Sequence, residues 1–180
     1  MTLVAPDGSV IFIHRYDFGV PHLVADNEYA VSYGQGFAEA QDRLYQMDLN
    51  RRGALGRLSE WFGDQMISFD KDIRRLGYTR LEYDEMFLEL DIEVQELITA
   101  YVEGVNTYAD SMSVNPSKYK PVEYLTTQFE PWEVHHSLAF AVYFARLFGM
   151  FGGEELIPVS YTHLRAHETV LDLVCRLLLE

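Results

Sequence analysis

The chain has 180 residues, 28 acidic against 14 basic side chains, a formal charge of −14 and a single cysteine. That length allows one domain or a piece of a larger one, and 48% hydrophobic residues supply a packed core, which excludes a disordered chain. The acidity argues against a nucleic-acid partner, one cysteine leaves no intrachain disulfide or cysteine-rich metal site, and no apolar run reaches the ~20 residues that span a bilayer.

Met1 to Asp7 has neither the basic nor the apolar region of a signal peptide. Gly8-Ser9 signals a turn, and Val10-Ile11-Phe12-Ile13, β-branched and aromatic, predicts a strand. Tyr16-Asp17-Phe18-Gly19 predicts a tight turn. Val20 to Val24 is then the returning strand, with Pro21 confining it to an edge or a bulge. Asp26 or Asn27 can cap a helix that carries Ala30, Val31, Tyr33, Phe37, Ala38 and Gln41 near one face. Leu44, Met47, Leu55 and Leu58 continue a helical pattern, interrupted around Gly53 and Gly56.

Asp91 opens the clearest helix, where Val94, Leu97, Ile98, Tyr101, Val102, Val105 and Tyr108 keep a 3.6-residue period. Ser111 to Pro121 reads as a polar loop. Pro131 and Glu133 open a last helix through Leu138, Ala141, Val142, Ala145 and Phe148, ending near Gly152-Gly153. The fold class is α+β: an N-terminal β-hairpin followed by mostly helices.

Gly34-x-Gly36 lacks the third glycine and the preceding strand of a nucleotide loop, so the pair reads as small residues that let two helices approach. Seven arginines fall between Arg43 and Arg80, among acids including Asp48, Glu60 and Asp70. Local ion pairing explains that mixture better than an anion site. His135 and His136 are adjacent, so on a helix they point about 100° apart and do not readily chelate one ion. Tyr143, Phe144, Phe148 and Phe151 make an aromatic belt, ordinary core material that would also suit an acyl pocket. Glu154-Glu155 beside Gly152-Gly153 reads as solvated acids, with calcium, a hard cation, as the sharper alternative. No G-x-S-x-G elbow, paired-carboxylate pattern or nucleophilic cysteine is found before residue 158.

Residues 158–180 stand apart. Val159 through Glu168 resemble the translated end of a transposase-type sequencing adapter, and Leu173 through Glu180 the adapter segment that follows a barcode. The codons between them fill a gap of about eight bases, a usual barcode length, so the segment is read as a non-native tail and set aside. The only cysteine, Cys175, lies within it, with His163 and His167. Leu171, Val174, Leu178 and Leu179 also have helical spacing, the alternative reading of the same string.

Several segments carry a joint pattern. Ile11 to Ala25 follows I-x-R-D-x-x-G-V-P-H-I-x-A with one extra residue, Tyr16, and Tyr33 to Met47 follows Y-G-x-G-Y-x-x-A-x-D-R-L-x-Q-M. Arg51-Arg52, Gly56 to Glu60, and Asp72-x-x-Arg75 with Gly77 continue in register. Together they resemble the penicillin acylase family of N-terminal-nucleophile hydrolases, which includes acyl-homoserine lactone acylases. The resemblance covers residues 10–157, so 1–157 is expected to be a truncated small-chain (α) region.

The resemblance implies part of a four-layer αββα sandwich shared with a large (β) chain of the same precursor. It implies cleavage of a linear acyl amide, an acylated β-lactam or an acyl-homoserine lactone, through an N-terminal Ser of that large chain. It implies no catalytic cofactor, an acyl pocket near Leu147, Phe148 and Met150, a structural calcium ligated by Glu155, and a periplasmic or secreted location. No catalytic residue falls in this chain, which is expected to be inactive alone. The alternative from composition is a non-enzymatic helical module that binds a ligand or partner along the aromatic belt.

Overall fold

A computed structural model describes residues 1–125 and 128–150. Its chain divides into two units, Met1–Val142 and Tyr143–Glu180. The first unit begins with a three-stranded antiparallel sheet, β1 (Thr2–Val4), β2 (Val10–Arg15) and β3 (Pro21–Ala25), in the order β1-β2-β3. The expected hairpin is β2-β3, with Phe12 opposite Val24 and Arg15 opposite Pro21. Pro21 sits on an edge strand, where its missing N–H costs no ladder bond. The short β1 was not expected; it pairs through Thr2–Phe12 and Val4–Val10. Alternation along β2 turns Ile11 and Ile13 inward and leaves Val10, Phe12 and His14 exposed.

The inner face of the sheet lies on α1 (Glu28–Ala54), a 27-residue helix. Asn27 caps it, its side-chain oxygen accepting from the Ala30 amide at 2.7 Å. Helical dihedrals break once, at Arg43 (φ −144°, ψ 25°), and the helix ends before Gly56, which takes φ +63°. Then come α2 (Ser59–Phe62), α3 (Ile67–Leu76) and α4 (Arg80–Leu88), followed by α5 (Ile92–Val114), α6 (Pro116–Tyr119) and α7 (Val134–Met150). Thr79 and Glu82 form a reciprocal capping box on α4. Among the described residues, no helix is long and apolar enough to cross a membrane.

The core is the seam between α1 and α5. Ala30, Tyr33, Phe37 and Leu44 meet Ala100, Val105, Tyr108 and Met112, with Ile11 and Ile13 closing it from the sheet. Each fully buried aliphatic side chain here is worth roughly 1.5–3 kcal/mol. The two helices approach at two glycines: a Cβ on Gly36 would overlap the Tyr101 carbonyl, and one on Gly104 the Tyr33 carbonyl. Gly36 therefore does what the sequence led us to expect, but Gly34 does something else. Its missing Cβ faces Ile11 and Leu23, so it seats the helix on the sheet. Hydrogen bonds lock the crossing from its flanks, Tyr33 to Thr107 at 2.9 Å, Tyr29 to Glu103 at 2.5 Å and Tyr101 to Glu39 at 2.6 Å. Burial, reinforced by the last two carboxylates, holds the Tyr29 and Tyr101 phenols well above their ordinary range.

Candidate functional site

The second half of α1 carries a buried charge cluster. Asp48 is wholly buried, and Arg51 and Arg52, one helical turn on, are 1% and 3% exposed. Asp48 Oδ1 accepts from Arg51 Nη2 at 2.5 Å and faces Arg52 Nε at 3.3 Å, while Oδ2 accepts from the Tyr124 hydroxyl at 3.1 Å. Arg51 Nη1 also donates to the Glu130 and Pro131 carbonyls, and its guanidinium lies 5.0 Å from the Trp132 ring and 5.2 Å from that of Phe129. Arg52 pairs with Glu60 and packs over Trp61 at 4.4 Å. Arg57 bridges Glu60 and Glu130, which holds the Glu130 carboxyl down to about 2. Ion pairing was expected, but not that the Asp48 pairs would be buried or that Arg52 would reach Glu130, 78 residues along the chain. The planar, multi-donor guanidinium makes this possible, since one Arg51 satisfies a carboxylate, two carbonyls and a ring face at once.

His136 completes the cluster. Its Nδ1 accepts from the Glu133 amide at 2.9 Å and lies 3.4 Å from Arg51 Nη1, so the ring must be neutral with its proton on Nε2. Burial, then the Arg51 charge, depress its pKa to about 2. The unfolded chain therefore takes up a proton near 6.5 that the folded chain refuses, and stability falls as pH drops below that value. Glu130, also depressed, adds a loss of the same sign below about 4.5. The thermal midpoint is expected to decline from pH 6.5 downward. His136→Asn, whose amide oxygen can accept the same backbone N–H, should flatten the decline between pH 6.5 and 5. A pH-independent midpoint over that range would contradict the assignment.

Asp70 departs from its expected role. It is buried and accepts the Leu58 and Ser59 amides at 2.9 and 2.8 Å, holding the start of α2. Burial opposes its charge, but the Ser59 and Leu58 hydrogen bonds outweigh it and keep the carboxyl below its ordinary value.

Beside this cluster lies an open cleft of about 850 Å³ between the β2-β3 turn and α1. Phe18, Val20, Pro21, Met47, Trp132, Phe140 and Tyr101 give it apolar and aromatic walls; Arg15, Glu39, Asp42, Arg43, Gln46 and Asn50 give it polar groups. Arg15 is fixed on Asp42 at 2.9 Å, Gln41 at 2.7 Å and the Gly19 carbonyl at 2.7 Å. The cleft can bind, but among the described residues it aligns no nucleophile with a base. Both Arg15 and Asp42-Arg43 belong to the motif blocks noted above, which gave them no role.

The site residues expected from the resemblance lie elsewhere. Leu147 and Phe148 are on the last turns of α7, 37% and 69% exposed, and the Phe148 ring stands 4.8 Å from that of Phe144. Met150 is the last helical residue, and Glu155, with the rest of 151–180, lies outside the described residues. A grouping that the sequence seemed to forbid does occur: ligand atoms of Glu133, His135 and His136 lie within 4.8 Å of one another. Glu133 stands just before α7, and its carboxylate lies 3.6 Å from His135 Nδ1, an approach that helical spacing alone does not reveal. Metal binding there is opposed by the Arg51 cation beside His136, by Arg80 on Glu133 at 2.5 Å, and by the backbone bond that occupies His136 Nδ1.

A glycine-welded helix pair with a small sheet, stiffened by buried arginines and bordered by an open cleft, defines the scaffold. Comparison with known proteins gives that scaffold a family. The penicillin amidase model matches residues 11–174, a span that extends into the segment set aside above. The chain belongs to the penicillin amidase family. It is 39% identical over 127 residues to penicillin acylase 2 proenzyme of Pseudomonas sp. (strain SE83), covering 71% of this chain and 16% of that protein. It is 35% identical over 133 residues to penicillin G acylase of Escherichia coli, covering 73% of this chain and again 16% of the relative. The acyl-homoserine lactone acylase PvdQ of Pseudomonas fluorescens (strain Pf0-1) is 28% identical over 103 residues, 53% of this chain and 13% of that one. Among solved structures, a thermostable penicillin G acylase from Alcaligenes faecalis superposes with a TM-score of 0.72 at 29% identity, over 78% of this chain and 75% of that one. The fold is α+β as expected, and the chain spans about one sixth of the length of these curated relatives.

Proposed function

We propose that this chain is the small-chain part of a precursor that hydrolyses a linear acyl amide, with an acylated β-lactam or an acyl-homoserine lactone as substrate. The observation that carries this is the pairing of family membership with a span of only 16% of the relatives' length, one of which is described as a proenzyme. The nucleophile is the N-terminal Ser of the large chain. Its own α-amino group, with a pKa near 8, takes the hydroxyl proton as the oxygen attacks the amide carbonyl. The amine leaves with that proton, and water then releases the acid from the acyl-enzyme. Leu147, Phe148 and Met150 are the acyl-pocket candidates in this chain.

For calcium the fit is uneven. The Glu133-His135-His136 grouping is rich in nitrogen and flanked by two arginines, whereas calcium takes oxygen ligands. Glu155 is the proposed ligand, and no step of the reaction is routed through the ion. The precursor is proposed to act in the periplasm or outside the cell.

The test starts with the uninterrupted gene, whose frame is expected to leave the Val159–Glu180 string at about residue 158 and to continue for the length of the relatives. Its product should hydrolyse an acyl-amide chromogenic substrate, whereas the purified 180-residue chain should not. Activity in the short chain, or a stop codon at that point and an inactive product, would refute the proposal. The second outcome would favour the non-enzymatic module.

A further inference from the structure

Two histidines meet on the outer face of the sheet, where His14 stands opposite His22 in the β2-β3 ladder. The register of this pair follows from its neighbour. Ile13 turns to the other side: its amide donates to the Met1 carbonyl at 2.8 Å, and its carbonyl accepts from the Met1 amino group at 2.8 Å. Successive residues of a strand send their backbone groups to opposite sides, so His14 sends its own toward β3 and forms a hydrogen-bonded pair with His22. Such a pair sets its Cα atoms about 5.5 Å apart with both side chains on one face. Alternation makes that face the outer one, with Ile13 buried and both histidines exposed.

The ladder thus does for His14 and His22 what a helix does not do for adjacent histidines. A tetrahedral cation with metal–nitrogen bonds of about 2.0–2.1 Å holds two ligand nitrogens about 3.3 Å apart. Two imidazoles on opposed strands reach that spacing by side-chain rotation, with no backbone shift. His14 lies beside Phe12 at 6.4 Å between rings, and His22 meets the Tyr16 ring edge-on at 4.6 Å. Phe12 and Tyr16 are themselves exposed, so these contacts yield readily.

The surroundings also admit a cation. Arg15, next along β2, is held by Asp42, Gln41 and the Gly19 carbonyl, away from the outer face. The Glu133 grouping differs, since Arg51 lies beside His136 and Arg80 pairs with Glu133. Imidazole selects zinc, nickel and copper over magnesium and calcium.

We propose that His14 and His22 form a cross-strand site for a divalent transition cation of the zinc class. The bound ion links β2 to β3 one pair before the Asp17–Gly19 turn, whose Phe18 and Gly19 line the cleft, and so stiffens that wall. The proposal does not rest on the acylase reading.

The test is a zinc chloride titration of the 180-residue chain carrying His163→Ala and His167→Ala, which removes the histidines of the Val159–Glu180 string. Calorimetry gives the affinity, and histidine ring NMR signals give the place. The His14 and His22 signals are expected to move together, and His14→Ala or His22→Ala should each weaken binding about tenfold, because the second ligand acts at high effective concentration. Glu133→Gln should leave the affinity unchanged, and excess calcium should not compete. Zinc should raise the thermal midpoint of the parent and not of His22→Ala. Binding that survives the loss of either histidine, or that moves the His135 and His136 signals instead, overturns the proposal. Equal affinity in native and urea-unfolded chains also overturns it, because the site exists only when the ladder is formed.

Discussion

Replacing Asp48 by alanine is expected to lower the stability of the chain by about 3–5 kcal/mol, the cost of leaving buried charge without its counter-ion. Arg51 and Arg52 are buried together on one helical turn, and Asp48 is the buried carboxylate between them. Its removal also strips the Tyr124 hydroxyl of its carboxylate partner. The effect should exceed that of breaking Arg80–Asp84, a solvent-exposed pair 3.7 Å apart whose loss costs about 1 kcal/mol or less. Urea unfolding of Asp48→Ala and Asp84→Ala measures the difference directly. Equal midpoints would mean that water reaches the cluster and that it does not organise the second half of α1.

The second large effect is expected at the α1-α5 crossing. Gly104→Ala adds a methyl group where the Tyr33 carbonyl already sits, and Gly36→Ala does the same at the Tyr101 carbonyl. The obstacle in each case is backbone, so the helices must separate and carry Val105, Tyr108 and Phe37 with them. Overpacking of this kind costs roughly 1–3 kcal/mol and outweighs the ~1 kcal/mol that alanine gains over glycine inside a helix. Gly53 is the internal control. It lies in the last turn of α1 with nothing near its missing Cβ, so Gly53→Ala should be neutral or stabilising by up to ~1 kcal/mol. Thermal melts that rank all three alike would deny that the glycines set the approach.

Much of this scaffold is legible in the sequence because its signals are local. The alternation of Val10 to Ile13, the Asn27 cap and the 3.6-residue period of Val102, Val105 and Tyr108 each need only neighbours along the chain. Helix α4 was missed despite a local signal, since Thr79-x-x-Glu82 is a capping box written in the sequence. Helix α3 is harder to see, with five charged residues in a ten-residue run.

The site is less legible because its partners are distant. Asp48 reads as one acid among many, and nothing near it announces that Tyr124 will donate to it or that the Glu130 and Pro131 carbonyls will meet Arg51. Burial selects these contacts: once α1 packs on α5, a guanidinium inside the fold must use every acceptor in reach. The motif blocks did point to Arg15 and to Asp42-Arg43, but only the folded hairpin shows that Arg15 ties the turn to α1 while Arg43 is left to face the cleft.

The most direct test of the central claim, that this chain serves an N-terminal-nucleophile amidohydrolase made as one precursor, is intact-mass analysis of the full-length gene product before and after a sulfonyl fluoride. Two chains are predicted. The smaller should contain the residues described here, and the larger should begin with Ser and gain a single sulfonyl group as fluoride leaves. One uncut chain that takes up no sulfonyl group would contradict the claim.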